Sequence, residues 1–215
     1  MQQIGPNIYS EIIATIIVAF CYNKLKGCYM QWFIPFLAFT FLTEVYAFYL
    51  GTIGKHTFLV YAIYNPLSII FYTYIFAKIA LTNAYKKLFI YSTVTYIIVS
   101  ILYYIIFKNL ISSHYLILVS SIEITIFACL LFFQYLKIDD PESIANYKSN
   151  LWIIAGLLIF YSGIAIVLSL LYYIKKNELK IGGLYLFNFV PQYLSIILYG
   201  CISYACIVWK KSTQK

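Results

Sequence analysis

Long apolar stretches alternate with short polar breaks along the whole chain. The stretches predict helices over residues 8–22, 31–50, 57–79, 88–107, 115–136, 151–174 and 183–209. The breaks carry the expected punctuation. Asn23-Lys24-Leu25-Lys26-Gly27 ends the first stretch, and a tight turn runs from Gly51 to His56. Lys86 and Lys87 sit in the break after the third stretch, and the longest break covers 137–150. Most of these helices have the length of a membrane span. The first is short and must borrow a turn at either end.

Composition fixes the class. Of 215 residues, 63% are hydrophobic and 10% charged, with a mean hydropathy of +0.85. No water-soluble globular domain has this balance, and the chain is expected to be an all-α integral membrane protein, a seven-transmembrane helix bundle. Residues 1–215 then form one transmembrane domain, multi-pass in the cell membrane, with no room for a soluble domain. The first ten residues carry no Lys or Arg and no small-residue cleavage site, so no removable signal peptide is expected.

The net charge of +8 comes with fifteen lysines that lie between the apolar runs. They act as topology determinants and lipid head-group contacts, and nucleic acid is not an expected partner. Lys24, Lys26, Lys78, Lys86, Lys87, Lys137, Lys148, Lys210, Lys211 and Lys215 fall on one side. Lys55, Lys108, Lys175, Lys176 and Lys180 fall on the other. The richer side is cytoplasmic, which puts the N-terminus outside and the C-terminus inside. Many of the 24 tyrosines lie near span ends, as an interfacial belt requires, and the mid-span ones need hydrogen-bond partners.

Two stretches break the apolar rule, Tyr64-Asn65-Pro66-Leu67-Ser68 and Asn188-Phe189-Val190-Pro191-Gln192. Each puts a proline and carboxamides inside a span. Proline removes a backbone donor and crowds the carbonyl four residues earlier, which is tolerated in a membrane only against protein or water. Pro66 and Pro191 are therefore hinge candidates. Three carboxyls also lie inside spans, Glu11, Glu44 and Glu123. Such residues are costly in lipid and are functional candidates by default. Counting from the outer helix ends, Glu11 lies roughly 5 Å deep, Asn188 roughly 8 Å, Glu44 roughly 9 Å, Asn65 and Glu123 roughly 12 Å and Gln192 roughly 14 Å. Helical stripes add Tyr61, Ser68 and Tyr72 to Asn65, and Ser195 and Tyr199 to Gln192. The expected ligand-binding set is Glu44, Asn65, Glu123, Asn188, Gln192, Tyr61, Ser68 and Glu11, around one outward-facing polar cavity. The alternative for each residue is a hydrogen bond between helices. Gly156 and Gly163 share a face seven residues apart and predict close helix packing.

No catalytic residues, metal site or cofactor is expected. HExxH and GxSxG are absent, and the seventh helix has no Lys before Lys210 to hold a retinal. The five cysteines fall in the inner half or on the inner side, so disulfides are not expected. Asp139-Asp140-Pro141-Glu142-Ser143 in the longest break has the form of a helix start, with an acidic docking patch as the alternative.

A repeat is suggested by Leu67-Ser68-Ile69-Ile70 recurring as Leu194-Ser195-Ile196-Ile197, by Tyr72 with Tyr199, Trp32 with Trp152, and Glu11 with Glu123. Residues 8–79 and 115–209 would then be two parallel three-helix bundles joined by a linker helix. This order resembles the SWEET and PQ-loop transporters, and the chain is also similar to small bacterial seven-helix membrane proteins of no assigned activity. Asn65 and Asn188 look like the pocket asparagines of the SWEET site. Pro191-Gln192 is a PQ dipeptide on the seventh helix, whereas the family's PQ pairs stand where this chain has Glu11 and Glu123. The resemblance implies a carrier for a small polar or cationic solute. A sensor or membrane subunit is the other reading. With no output domain on the chain, that reading needs a separate signalling partner. The lipid bilayer is a partner on either reading, and a homo-oligomer is compatible with both.

Overall fold

The computed structural model describes residues 5–55, 57–107, 113–140, 144, 146–182 and 184–209. It is helical apart from one short two-stranded ribbon. The elements are α1 (Pro6–Phe20), α2 (Tyr22–Leu25), a 3-10 turn (Tyr29–Trp32), α3 (Phe33–Thr52), α4 (Phe58–Ile79), α5 (Asn83–Phe107), α6 (Ser113–Leu136), α7 (Tyr147–Ser169), α8 (Leu171–Lys176), β1 (Lys180–Ile181), β2 (Leu184–Tyr185) and α9 (Leu186–Val208).

Six helices are long and apolar enough to cross a membrane: Tyr29–Thr52, Leu59–Ile79, Asn83–Ile106, His114–Leu136, Tyr147–Ser169 and Leu186–Val208. The shorter apolar helix α1 has 15 residues and rises ~22 Å, less than the ~30 Å of a hydrocarbon core. Cys21 keeps right-handed backbone angles (φ −78°, ψ −2°), so α2 prolongs α1. From Pro6 to Leu25 the chain climbs ~30 Å. Lys24 then ties α2 to the far end of α9, its Nζ donating to the carbonyl of Ile207 at 3.2 Å.

The bundle has an apolar core, yet it also buries carboxyls and exposes many large apolar side chains. Glu11 and Glu123 are buried, while Phe20, Ile63, Ile98, Ile105, Ile106 and Ile166 are exposed. Exposed apolar surface on this scale has its natural solvent in lipid, and the polar groups turn inward because lipid offers them nothing. The chain is a multi-pass membrane protein.

The helices close on themselves. α1 packs between α3 and α9, α9 on α7, α7 on α6, α6 on α4, and α4 on α3. α5 lies outside this circuit against α4 and α6. Two glycines allow the closest approach. A Cβ at Gly156 would stand 2.7 Å from Cys201 Cβ, and one at Gly163 would stand 2.3 Å from Leu194 Cδ1. The shared face of these glycines is thus the seam between α7 and α9, as the sequence suggested.

Several boundaries move. The predicted 151–174 helix starts earlier, at Tyr147, and breaks at Leu170 before α8. Asn146 caps α7 in the left-handed region (φ 60°). The predicted 183–209 helix starts later, at Leu186, because an antiparallel ribbon pairs Lys180 with Tyr185 and Ile181 with Leu184. Gly182 turns that ribbon at φ +57°, a conformation that suits glycine. The 88–107 helix extends back to Asn83, so Lys86 and Lys87 lie on its first turns. The helix start expected at Pro141, Glu142 and Ser143, and His56, lie outside the described residues.

Candidate functional site

Glu11 and Glu44 lie on neighbouring helices, α1 and α3, and come together around a group of tyrosines. Glu11 sits in the second turn of α1, on the face with Ala14 and Val18 that packs inward, and is 2% exposed. The Tyr199 hydroxyl of α9 lies beside its carboxyl. Its Oε2 has no hydrogen-bond partner among the described residues. Glu44 stands one turn from Thr40, both on the inward stripe of α3. The Tyr61 hydroxyl of α4 is 3.3 Å from Glu44 Oε1 and 3.2 Å from Oε2. Tyr64, three residues further along α4, shares a hydrogen bond with Thr40 Oγ1 at 3.2 Å.

Behind this front, Tyr72 of α4 meets Tyr161 of α7 edge to face at 5.7 Å, and Tyr161 lies near Ser68. Tyr64, Tyr72 and Tyr199 all lie within electrostatic reach of Glu11. The centre of the bundle is therefore an oxygen-rich cluster contributed by α1, α3, α4, α7 and α9. Its donors and acceptors are carboxyls, phenols and hydroxyls. Among the described residues the ion pair found is Lys180–Glu178, at 3.8 Å in an exposed loop, so no lysine compensates Glu11 or Glu44.

Magnitudes decide what this arrangement can hold. An ionised carboxylate taken out of water costs several kcal/mol even after relaxation. Hydrogen bonds between helices in a membrane return on average about 0.6 kcal/mol, and rarely more than about 2. A second like charge in the same cluster would add repulsion to that cost. Tyrosine hydroxyls cannot offset two bare carboxylates. The pair has to carry protons or a cation.

The other expected site residues divide. Ser68 is buried next to the cluster, donating to the Asn65 carbonyl at 2.8 Å, and Asn65 itself is half-buried. Gln192 packs against the start of α1, where a Cβ on Gly5 would come within 3.3 Å of its amide. Ser195 donates to the Gln192 carbonyl at 2.8 Å. Asn188 is exposed. It belongs to the first turn of α9, one turn beyond Gln192, and α1 begins at the level of Gln192, so α1 does not cover it. Glu123 points elsewhere. It is 9% exposed, faces Ser92 and Thr93 of α5, and leaves Oε1 without a partner among the described residues. Nearby, Thr73 and Thr93 share a hydrogen bond of 2.7 Å. That second polar group lies on the α4–α5–α6 side. Both α4 and α9 run on as helices through Pro66 and Pro191.

A third network has no counterpart among the residues the sequence singles out. At the end of the bundle opposite Gln192 and Gly5, the Tyr29 hydroxyl donates to Asn150 Oδ1. Asn150 Nδ2 donates to the Tyr135 hydroxyl at 2.9 Å, and Tyr135 donates to the Ile79 carbonyl at 3.2 Å. Tyr147 stacks on Tyr135 with ring centres 5.3 Å apart, and Ser149 donates to the Ala205 carbonyl at 2.8 Å. This clasp ties the 3-10 turn to α4, α6, α7 and α9. In sequence Asn150 falls at the end of the longest break, where no inward helical face is expected; Tyr135 just before that break and Tyr147 within it are the signal for this network. At the same end, an open groove of about 550 Å³ is lined by Ala19, Tyr22, Gln31, Trp32, Ile34 and Pro35. It lies more than two helical turns from Glu11 and Glu44 and takes no residue from their cluster.

Fold and site together define a multi-pass helical membrane protein with a partly buried carboxyl–tyrosine cluster between its helices. Comparison with protein families, with curated proteins and with solved structures finds no match.

Proposed function

We propose that this protein is a cell-membrane carrier for a small polar or cationic solute. Its seven helices, α1 included, cross the bilayer with the N-terminus outside. The observation that carries this reading is the convergence of Glu11 and Glu44 with Tyr61, Tyr64 and Tyr199 in the bundle, with no basic side chain among the described residues to neutralise them. Purely structural contacts between helices are served by serine, threonine and carboxamides at far lower cost than by two carboxyls. The lysine asymmetry supports the orientation, and Lys175 and Lys180 on the lysine-poor side stand over the rings of Phe187 and Tyr185, at 5.5 and 4.6 Å, as interfacial anchors would. The two outer triplets, α1-α3-α4 and α6-α7-α9, each pack in chain order around their middle helix, which suits a repeat. Pro66 and Pro191 are the hinges of the proposed alternation, one in each triplet.

The test is uptake by purified protein in liposomes, across a panel of neutral and cationic solutes. Glu11→Gln and Glu44→Gln should abolish uptake of the solute that moves, while Glu178→Gln in the exposed loop leaves it unchanged. A panel in which nothing accumulates above empty liposomes overturns the reading.

A further inference from the structure

We infer that Glu11 and Glu44 form an exchange site at which a small monovalent cation displaces a proton. The inference rests on the carrier reading and names the solute class for it.

The chemistry of the donors selects the ligand. The polar atoms that meet in the cluster among the described residues are oxygens: the two carboxyls, the phenols of Tyr61, Tyr64 and Tyr199, and Thr40 Oγ1. Hard oxygen donors of this kind suit alkali cations and small ammonium ions. An anion would need a lysine, and none lies beside Glu11 or Glu44 among the described residues. Glu11 Oε2 is the independent sign of a missing partner, buried and without a hydrogen bond among the described residues.

The surroundings also fix what is released. The titratable groups facing the pair are each other, Tyr61, Tyr64 and Tyr72 of α4, and Tyr199 of α9. Among the described residues, no His, Lys or Asp faces the pair. When the site is empty, the positive charge that the pair requires must come from a carboxyl proton. When a cation binds, one carboxyl O–H bond breaks and the proton leaves to water on the side from which the cation came. One positive charge replaces another, the net charge of the buried site is unchanged, and no electron is transferred. Tyr61 is a positioning residue that holds Glu44 from α4 in both states.

Two readouts test this, with sodium as the first probe and potassium and methylammonium as further arms. Infrared difference spectra of the purified protein should show loss of a protonated-carboxyl C=O band when the cation is added, about one carboxyl per protein. The Glu11→Gln and Glu44→Gln variants, confirmed as monodisperse and folded, should lack the change. Should either variant fail to fold, Tyr61→Phe keeps both carboxyls and should weaken cation binding on the order of 10-fold. In liposomes with an enclosed pH dye, a cation gradient should drive proton movement in the opposite direction at about one for one. A neutral solute that moves while all three cations leave the band and the dye unchanged sinks the exchange site and spares the carrier. Cation-linked proton release in detergent, with no flux in liposomes, upholds the exchange site and sinks the carrier. Cation uptake without proton movement overturns the exchange site.

Discussion

Tyr61 on α4 sets its hydroxyl 3.3 and 3.2 Å from the two carboxyl oxygens of Glu44 on α3, so one phenol bridges both. α3 and α4 are consecutive and antiparallel, joined by the short turn between Thr52 and Phe58. The bond therefore closes a helical hairpin as well as positioning a carboxyl. Tyr61→Phe removes the hydroxyl and keeps the ring. Thermal unfolding in detergent should show a loss within about 1 kcal/mol, the scale of a hydrogen bond between helices. Cation binding should fall on the order of 10-fold, about 1.4 kcal/mol, more than stability does. Equal losses in both would mean that the bond serves folding alone.

Gly156 and Gly163 should respond differently to alanine. At Gly156 the added Cβ meets Cys201 Cβ at 2.7 Å, an atom fixed to the backbone of α9, so the helices must part. At Gly163 it meets the tip of Leu194, which can change rotamer. Gly156→Ala should cost about 1–3 kcal/mol and Gly163→Ala less, measured by denaturant titration in detergent. Gly156→Ala with Cys201→Gly should recover part of the loss.

Asn150 joins Tyr29 to Tyr135 at the end of the bundle opposite Gln192. Asn150→Ala leaves two phenols without that bridge and should destabilise by about 1–3 kcal/mol. A double-mutant cycle of Asn150→Ala with Tyr29→Phe should show coupling of at least about 0.5 kcal/mol. Additive losses would mean that the clasp is only a set of independent contacts.

Glu123 and Asn188 stand outside the central cluster. Asn188→Ala should change stability by less than about 0.5 kcal/mol, as expected of an exposed position. Both Asn188→Ala and Glu123→Gln should leave cation-linked proton release intact. Loss of release in Glu123→Gln would extend the exchange path to the α4–α5–α6 side.

Cys28 lies between α2 and the 3-10 turn, outside the spans, and donates its thiol to the Leu25 carbonyl at 2.8 Å. Burial pushes this thiol up from its ordinary value. The thiolate is the reactive form, and a raised value means it appears only at higher pH. In a variant retaining Cys28 as its single cysteine, the maleimide reaction rate should keep climbing with pH beyond about 8.5, where an ordinary thiol is half ionised. A rate that levels off near that pH would show the site to be open.

The sequence alone determined that this chain lives in a membrane and where its long helices lie. Those properties are sums over twenty or so neighbouring residues, and tertiary contacts barely alter them. Gly156 and Gly163 were legible for the same reason, since their common face follows from helical period. What the fold decided was which polar stripes meet. Glu11, Glu44 and Glu123 have the same status in sequence, each a lone carboxyl in an apolar helix. Only the neighbour order, with α1 beside α3 and α6 beside α5, pairs the first two and sends the third elsewhere. Asn188 and Tyr199 share a face of α9, yet one is exposed and the other buried, because α1 starts a turn too late to cover Asn188. Helical period fixes direction around an axis. Which neighbour stands in that direction, and how far along the axis it reaches, is set by packing between segments distant in the chain.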